Sequence, residues 1–162
     1  MILLLVRHAD AGDRDPAQWP DDRLRPMTDK GRKVQTKVAK ALAKMGLVPE
    51  LIVTSPWTRA AQTAEVMQQV LGVTAPLQPS DALAADPDPK RLDADIGSRG
   101  SDAVVAAVGH SPWIEEWAAL LLTGTSHGLR VDFPKSGVLA MQIDRIAPGT
   151  GTLRIFMRPK ML

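Results

Sequence analysis

Cysteine is absent from the sequence. That excludes disulfides, thiolate metal sites and a cysteine nucleophile together, and it fits a reducing compartment. Long apolar runs are also missing. No stretch approaches the roughly 20 residues of a membrane-spanning helix. The apolar start, Ile2 to Val6, stops at Arg7 and falls short of the apolar core of a secretory signal, roughly 7–15 residues long. A cytoplasmic protein without membrane attachment is the expectation. Charge excess is small, +2, which argues neither for nor against nucleic acid. The chain has no low-complexity segment, no repeat of fold-defining length and no internal boundary. One domain over residues 1–162 is expected, long enough to bury a core.

Short apolar runs alternate with amphipathic segments. Residues 2–7 read as a buried strand. Residues 10–27, dense in Asp, Arg and Pro, read as a long irregular loop, a length usually tied to function or disorder. A helix is predicted from Thr28 or Asp29, with Val34, Val38, Leu42 and Met45 on its apolar face and Gly46 as its stop. "LIVTS" (51–55) is a second buried strand. "PWTRAAQTAEVMQQVLG" follows as a helix, with Pro56 in its first turn and Gly72 past its end. A short edge strand and a loop cover 73–90, and a weaker helix covers 88–98. "AVVAAVGH" is a third buried strand, and "PWIEEWAALLLTG" a third strong helix ending at Gly124. Strands near 137–143 and 152–157, joined across "APGTG", form an antiparallel pair. This alternation predicts a layered α/β domain with a mainly parallel sheet.

"SPW" occurs twice, at Ser55 and Ser111, each time between a buried strand and a helix. Ser-Pro as a cap plus first turn explains the repeat by itself. Its location suggests more, because sites in open α/β sheets form at the carboxyl ends of strands, where helix N-termini suit phosphate. The first strand ends on Arg7 and His8. The second leads to Ser55 and Arg59. The third ends on Gly109 and His110. His127 reads as a loop residue. If the three strands are neighbours, two arginines and two histidines converge. Arginine binds phosphate oxygens in pairs and stays charged. A neutral imidazole can attack phosphorus and carry the phosphoryl group, with the cations stabilising its charge. Two other readings use the same residues. His8-x-Asp10 with His110 could hold a divalent ion, although Arg7 and Arg59 would crowd it with positive charge. A non-catalytic phosphate-binding module needs the cations but not His8.

"LVRHADAG", "VTSPWTRAAQTAEVM" and "VAAVGHSPW" resemble, in order, the three blocks of the histidine phosphatase superfamily, which includes the phosphoglycerate mutase-like enzymes. "RPMTDKG" is similar to the R-P-L-T-x-x-G of its small phosphohistidine phosphatases, the SixA-like branch, and His-Ala after Arg7 also fits that branch. The blocks run from residue 2 to about residue 122. The resemblance implies a three-layer α/β/α sandwich with one antiparallel strand near the C-terminus. It implies His8 as the phosphorylated nucleophile, with Arg7, Arg59 and His110 completing the phosphate pocket. Arg25, before Pro26, is a further carry-over to substrate binding, and Ser55 and Ser111 would support the pocket or only cap helices. The implied activity is a metal-free phosphatase without cofactor, acting on a phosphorylated protein or a small phosphate ester. A mutase is disfavoured, since the chain lacks the substrate-enclosing segments of the larger members.

A general acid has no motif. Ser111, not Asp, follows His110, and Asp10, Asp13, Asp81, Asp86 and Asp88 are candidates only by position in loops. An alkoxide leaving group needs a proton, whereas an imidazole, with a conjugate-acid pKa of about 6.5, leaves more readily. The missing acid and the short chain therefore favour a protein phosphohistidine substrate over a small phosphomonoester. Lys30, Arg32, Lys33, Lys37, Lys40 and Lys44 form a basic helix face, read as solvated in preference to an acidic-protein surface. Aromatic interleaving is lacking there, so no nucleic-acid partner is expected.

Overall fold

The computed structural model describes residues 1–162. Its strands are β1 (Ile2–Arg7), β2 (Leu51–Thr54), β3 (Gln78–Pro79), β4 (Val104–Gly109), β5 (Val138–Ile143) and β6 (Gly151–Met157). They form one sheet in the order β3-β2-β4-β1-β5-β6. The pairs β1–β4, β4–β2 and β2–β3 are parallel. β5 runs antiparallel to both of its neighbours, β1 and β6. It is thus the single antiparallel strand of a mainly parallel sheet.

Parallel neighbours need crossover connections, supplied here by helices. These are α1 (Asp29–Lys44), α2 (Thr58–Leu71), α3 (Pro89–Ile96) and α4 (Trp113–Thr123). Side chains alternate along β1, and each face meets its own helices. Leu3 and Leu5 pack with Leu92 and Ile96 of α3 and with Ile114 and Trp117 of α4. Leu4 and Val6 pack with Val38 and Leu42 of α1 and with Ala60 and Met67 of α2. Burial on both faces explains why β1 is apolar throughout instead of alternating. The result is a three-layer α/β/α sandwich. No helix is long and apolar enough to cross a membrane.

Some boundaries differ from the expectation. The buried stripe of α1 keeps Val38 and Leu42 but adds Gln35 and Ala39, while Met45 is 48% exposed. Met45 caps α1 at its C-terminus, past the last packed turn, so its side chain leaves the stripe. Pro56 precedes the first turn of α2, whereas Pro112 is the N-cap of α4 and its carbonyl accepts the Glu116 amide at 3.2 Å. α2 and α4 begin after them, with Trp57 and Pro112 as N-caps that make no side-chain capping bond. The two Ser-Pro serines are therefore not caps, and their hydroxyls are committed elsewhere.

The loop after β1 contains a short 3-10 turn, Asp22–Leu24, and is drawn back over the carboxyl edge of the sheet. Gly31 in the first turn of α1 makes this possible. A β-carbon there would lie 2.3 Å from the Asp10 carbonyl oxygen and 2.9 Å from its amide nitrogen. Thr28 closes the contact, its amide donating to that carbonyl at 2.8 Å while its side chain caps α1 on the Gly31 amide.

Candidate active site

Strand order brings the predicted residues together. Arg7 is in register with Gly109, so His8 and His110 leave adjacent parallel strands side by side. Their ring centroids are 5.0 Å apart. Thr54 is in register with Val108, which delivers Ser55 and Arg59 on the other side of β4.

The tautomer of His8 follows from its partners. Nδ1 is 2.6 Å from the Ala9 carbonyl oxygen. A carbonyl only accepts, so Nδ1 carries the hydrogen and Nε2 keeps its lone pair. Nε2 receives the Arg59 Nε–H at 3.3 Å. Burial pushes the His8 pKa down to about 3, opposed by the Ala9 carbonyl and assisted by Arg59, Arg7 and Arg25. The imidazole is neutral at physiological pH.

His110 is held by Ser55, whose Oγ lies 2.8 Å from Nε2 and also accepts the Trp57 amide. Burial, with His8 and Arg59 adding to it, lowers the His110 pKa to about 2. Two indoles frame this ring. Trp57 is 4.5 Å and Trp113 6.3 Å from it, centroid to centroid, and the indoles meet edge-to-face at 5.9 Å. The Arg59 guanidinium lies 4.9 Å over Trp57. The repeated "SPW" pointed here, but through its tryptophans as much as its serines. Ser111 donates to Glu115 Oε1 at 2.7 Å within its own turn and is not drawn to the histidines.

Arg7 Nη1 donates to the Phe133 carbonyl at 2.6 Å, and its buried Nε has no partner. The Ser136 amide, from a residue at φ +60°, donates to the carbonyls of Arg7 and His8 at 3.1 and 3.2 Å. Arg25 clamps the loop. Its Nε–H donates to Asp22 at 2.8 Å, and its Nη1 to the carbonyls of Ala11 and Gly12 at 2.9 and 2.8 Å. Its proximity acts on His8 as charge.

The sequence reading missed Asp22. Its carboxylate pairs with Arg25 at 2.8 Å and Arg59 at 3.2 Å, and its carbonyl accepts from Arg59 Nη1 at 2.8 Å. Nothing in the Asp-rich loop distinguishes it from its neighbours until the loop folds back. Gln62 accepts the Met27 amide at 2.8 Å. Thr63 accepts the Ala9 amide at 3.0 Å and donates to the Arg59 carbonyl at 2.6 Å. They tie α2 to both ends of the loop.

The candidate acids are placed elsewhere or held ionised. Lys135 holds the Asp10 carboxyl below its usual value, with Thr28 assisting and partial burial opposing. Arg25 does the same for Asp22. Asp88 caps α3 through the Arg91 amide, and Asp86 accepts from Trp113 Nε1 at 3.0 Å. Asp13 and Asp81 are exposed. His8, Asp10 and His110 do not converge as a metal-ligand group.

Two neutral buried histidines fix a pH dependence of stability. Unfolded, each binds a proton below about 6.5. Folded, they do so only near 3 and 2. Between those values the unfolded chain holds more protons, so stability is full above about 6.5 and falls as pH drops. Each histidine contributes up to about 1.4 kcal/mol per pH unit in this window. Asp10 and Asp22 lose their contribution only lower, as pH falls below the usual carboxylate range. Urea unfolding is expected to give lower stability at pH 5.5 than at 7.5. The difference shrinks by about half in His110→Ala.

A mainly parallel sheet that gathers histidines and arginines at its carboxyl edge fits a phosphate-handling class. The model of the histidine phosphatase superfamily (branch 1) matches residues 3–84. The chain belongs to this superfamily and is a phosphatase. An uncharacterized protein of Picosynechococcus is 32% identical over 154 residues, covering 88% of this chain and 85% of that protein. An uncharacterized chloroplastic protein of Arabidopsis thaliana is 36% identical over 70 residues, 41% of this chain and 29% of that one. Among solved structures, the protein histidine phosphatase SixA complexed with tungstate superposes with a TM-score of 0.82 at 24% identity, covering 99% of both chains. A phosphoserine phosphatase of Entamoeba histolytica bound to 3-phosphoglyceric acid gives 0.65 at 15% identity, covering 97% of this chain and 96% of that one. At these identities the structural likeness is one of fold.

Proposed function

We propose that residues 1–162 act as one catalytic domain that hydrolyses a phosphohistidine in another protein, without metal, through a phosphohistidine formed on His8. One observation carries the reading. Neutral His8 keeps its Nε2 lone pair beside the guanidinium of Arg59, with Arg7 adjoining. The lone pair forms the N–P bond as the bond from phosphorus to the leaving group breaks, and the leaving group takes that electron pair. Water then attacks phosphorus, the Nε2–P bond breaks, and inorganic phosphate departs with neutral His8 restored. Arg7 and Arg59 would meet the charge on the transferring group, and His110 would donate to a phosphate oxygen. The SixA structure of the same fold holds tungstate, itself a tetrahedral oxyanion.

The substrate class rests on the acids. Asp10 and Asp22, on the loop that follows His8, are held ionised in ion pairs with Lys135 and with Arg25 and Arg59. A leaving imidazole makes less demand for a proton than an alkoxide. A small-molecule phosphomonoesterase is the second reading, supported by the fold shared with the Entamoeba phosphoserine phosphatase. A panel of a histidine-phosphorylated protein, a sugar phosphate and an aryl phosphate, each with and without chelator, tests both. The highest kcat/KM is expected on phosphohistidine, unchanged by chelator. A clear preference for the esters would sink the substrate assignment. Activity lost to the chelator and restored by metal would sink the metal-free mechanism.

A further inference from the structure

The lysines of α1 are not scattered. Lys30, Lys33, Lys37, Lys40 and Lys44 recur at alternating spacings of three and four, so they share one face. Like charges at such spacing cost the helix a few tenths of a kcal/mol per pair. Nothing on the helix offsets this, since its only acidic residue is Asp29 at the start. Folding adds cations from distant segments. A groove of about 460 Å³ is lined by Lys30 and Lys37 of α1, by Lys135 and Ser136, and by Arg158 and Lys160. Lys135 and Arg158 are paired, with Asp10 and Asp132. Lys30, Lys37 and Lys160 are exposed and form no ion pair.

The groove adjoins the site through the backbone. Ser136, which lines it, donates its amide to the carbonyls of Arg7 and His8. Asp10, which also lines it and pairs with Lys135, lies two residues past His8. A phosphorylated protein seated here would have its surface against the lysine face while its phosphoryl group reaches His8.

We propose that this groove is the docking surface for the protein substrate, and that it selects an acidic surface flanking the phosphohistidine. The inference rests on the phosphohistidine reading above. The chain as a whole carries only +2, so the positive field is local to this face and acts at short range. Exposed rim charges of this kind act mainly on encounter and substrate choice, leaving the chemical step alone.

The test compares the wild type with the triple variant Lys30→Glu/Lys37→Glu/Lys160→Glu. The probes are a phosphohistidine peptide flanked by Asp and Glu, the same peptide flanked by Ser and Gln, free phosphohistidine and an aryl phosphate. The wild type is expected to prefer the acidic peptide by about tenfold or more, a preference that fades as salt rises. The triple variant is expected to lose that preference and to keep wild-type turnover of free phosphohistidine, which also reports an intact fold. Equal turnover of both peptides by the wild type, with free phosphohistidine hydrolysed, would overturn the groove and leave the substrate reading standing. Aryl phosphate turnover without any phosphohistidine turnover would overturn both. Binding of single-stranded RNA or phosphatidylserine vesicles that depends on the three lysines, with the acidic peptide indifferent to them, would also overturn the proposal.

Discussion

His8→Ala is expected to lower kcat/KM by about 10⁴-fold or more, and to abolish the phosphoenzyme expected of the wild type. The argument is geometric. His8 is fixed at both nitrogens, Nδ1 on the Ala9 carbonyl and Nε2 against Arg59 Nε. Nε2 therefore has one orientation and one protonation state. His110 is not placed to replace it: its Nε2 faces the Ser55 hydroxyl, its Nδ1 is buried without a partner, and Trp57 and Trp113 flank its ring. Labelling with a phosphorylated substrate, quenching in alkaline detergent and then splitting the sample between low and high pH checks the prediction. An N–P bond on imidazole is lost in acid, whereas a phosphoester is not. Arg7 and Arg59 remain in the variant, so inorganic phosphate is still expected to bind. A phosphate-binding module would show the same binding but no turnover in either form, and a wild-type protein that never labels would remove the covalent mechanism.

Arg59→Ala comes next, with an expected fall in kcat of about 10³-fold. Three contacts disappear together: the Nε–H on His8 Nε2, the Nη1 bond to the Asp22 carbonyl and the ion pair with the Asp22 carboxylate. The first meets the attacking atom and the phosphoryl charge. The other two hold the loop across the site. Arg59→Lys is expected to recover less than about tenfold of the loss, because an ammonium cannot reproduce a planar fork that serves imidazole and carboxylate at once. Arg59 is only 4% exposed, so its removal also costs stability. Thermal unfolding of the same samples separates the two effects. Asp22→Asn supplies the control, since it loosens the loop while keeping the guanidinium beside His8. If Arg59→Ala and Asp22→Asn lowered kcat equally, Arg59 would act through the loop and not on phosphate.

These expectations depend on different levels of information. Residues 2–7 declared themselves by composition, since an apolar run without alternation requires burial on both faces. The same run ending on Arg7 and His8, with Arg59 and His110 in later blocks, named the residues that meet at the sheet edge. The α1 boundaries were legible from Thr28 and Gly46. Those features are local, and local chemistry writes them into adjacent letters.

Other parts of the site are made by return of the chain upon itself. Asp22 is one aspartate among several in its loop. It becomes the partner of Arg25 and Arg59 because Gly31 lets α1 close on the Asp10 backbone, and because Gln62 and Thr63 pull both loop ends to α2. Trp57 and Trp113 stand 56 positions apart in the sequence, and only the β2–β4 pairing sets them edge-to-face beside His110. The tautomer and neutrality of His8 come from a neighbouring carbonyl and from burial, neither of which a sequence displays. By itself the sequence determined the strand pattern, the histidines and arginines, and the order in which they arrive. Tertiary structure alone decided which carboxylate faces them, which nitrogen of His8 keeps its lone pair and which lysines line one groove beside the site. These depend on distances between segments remote in the chain, set by strand register and loop closure.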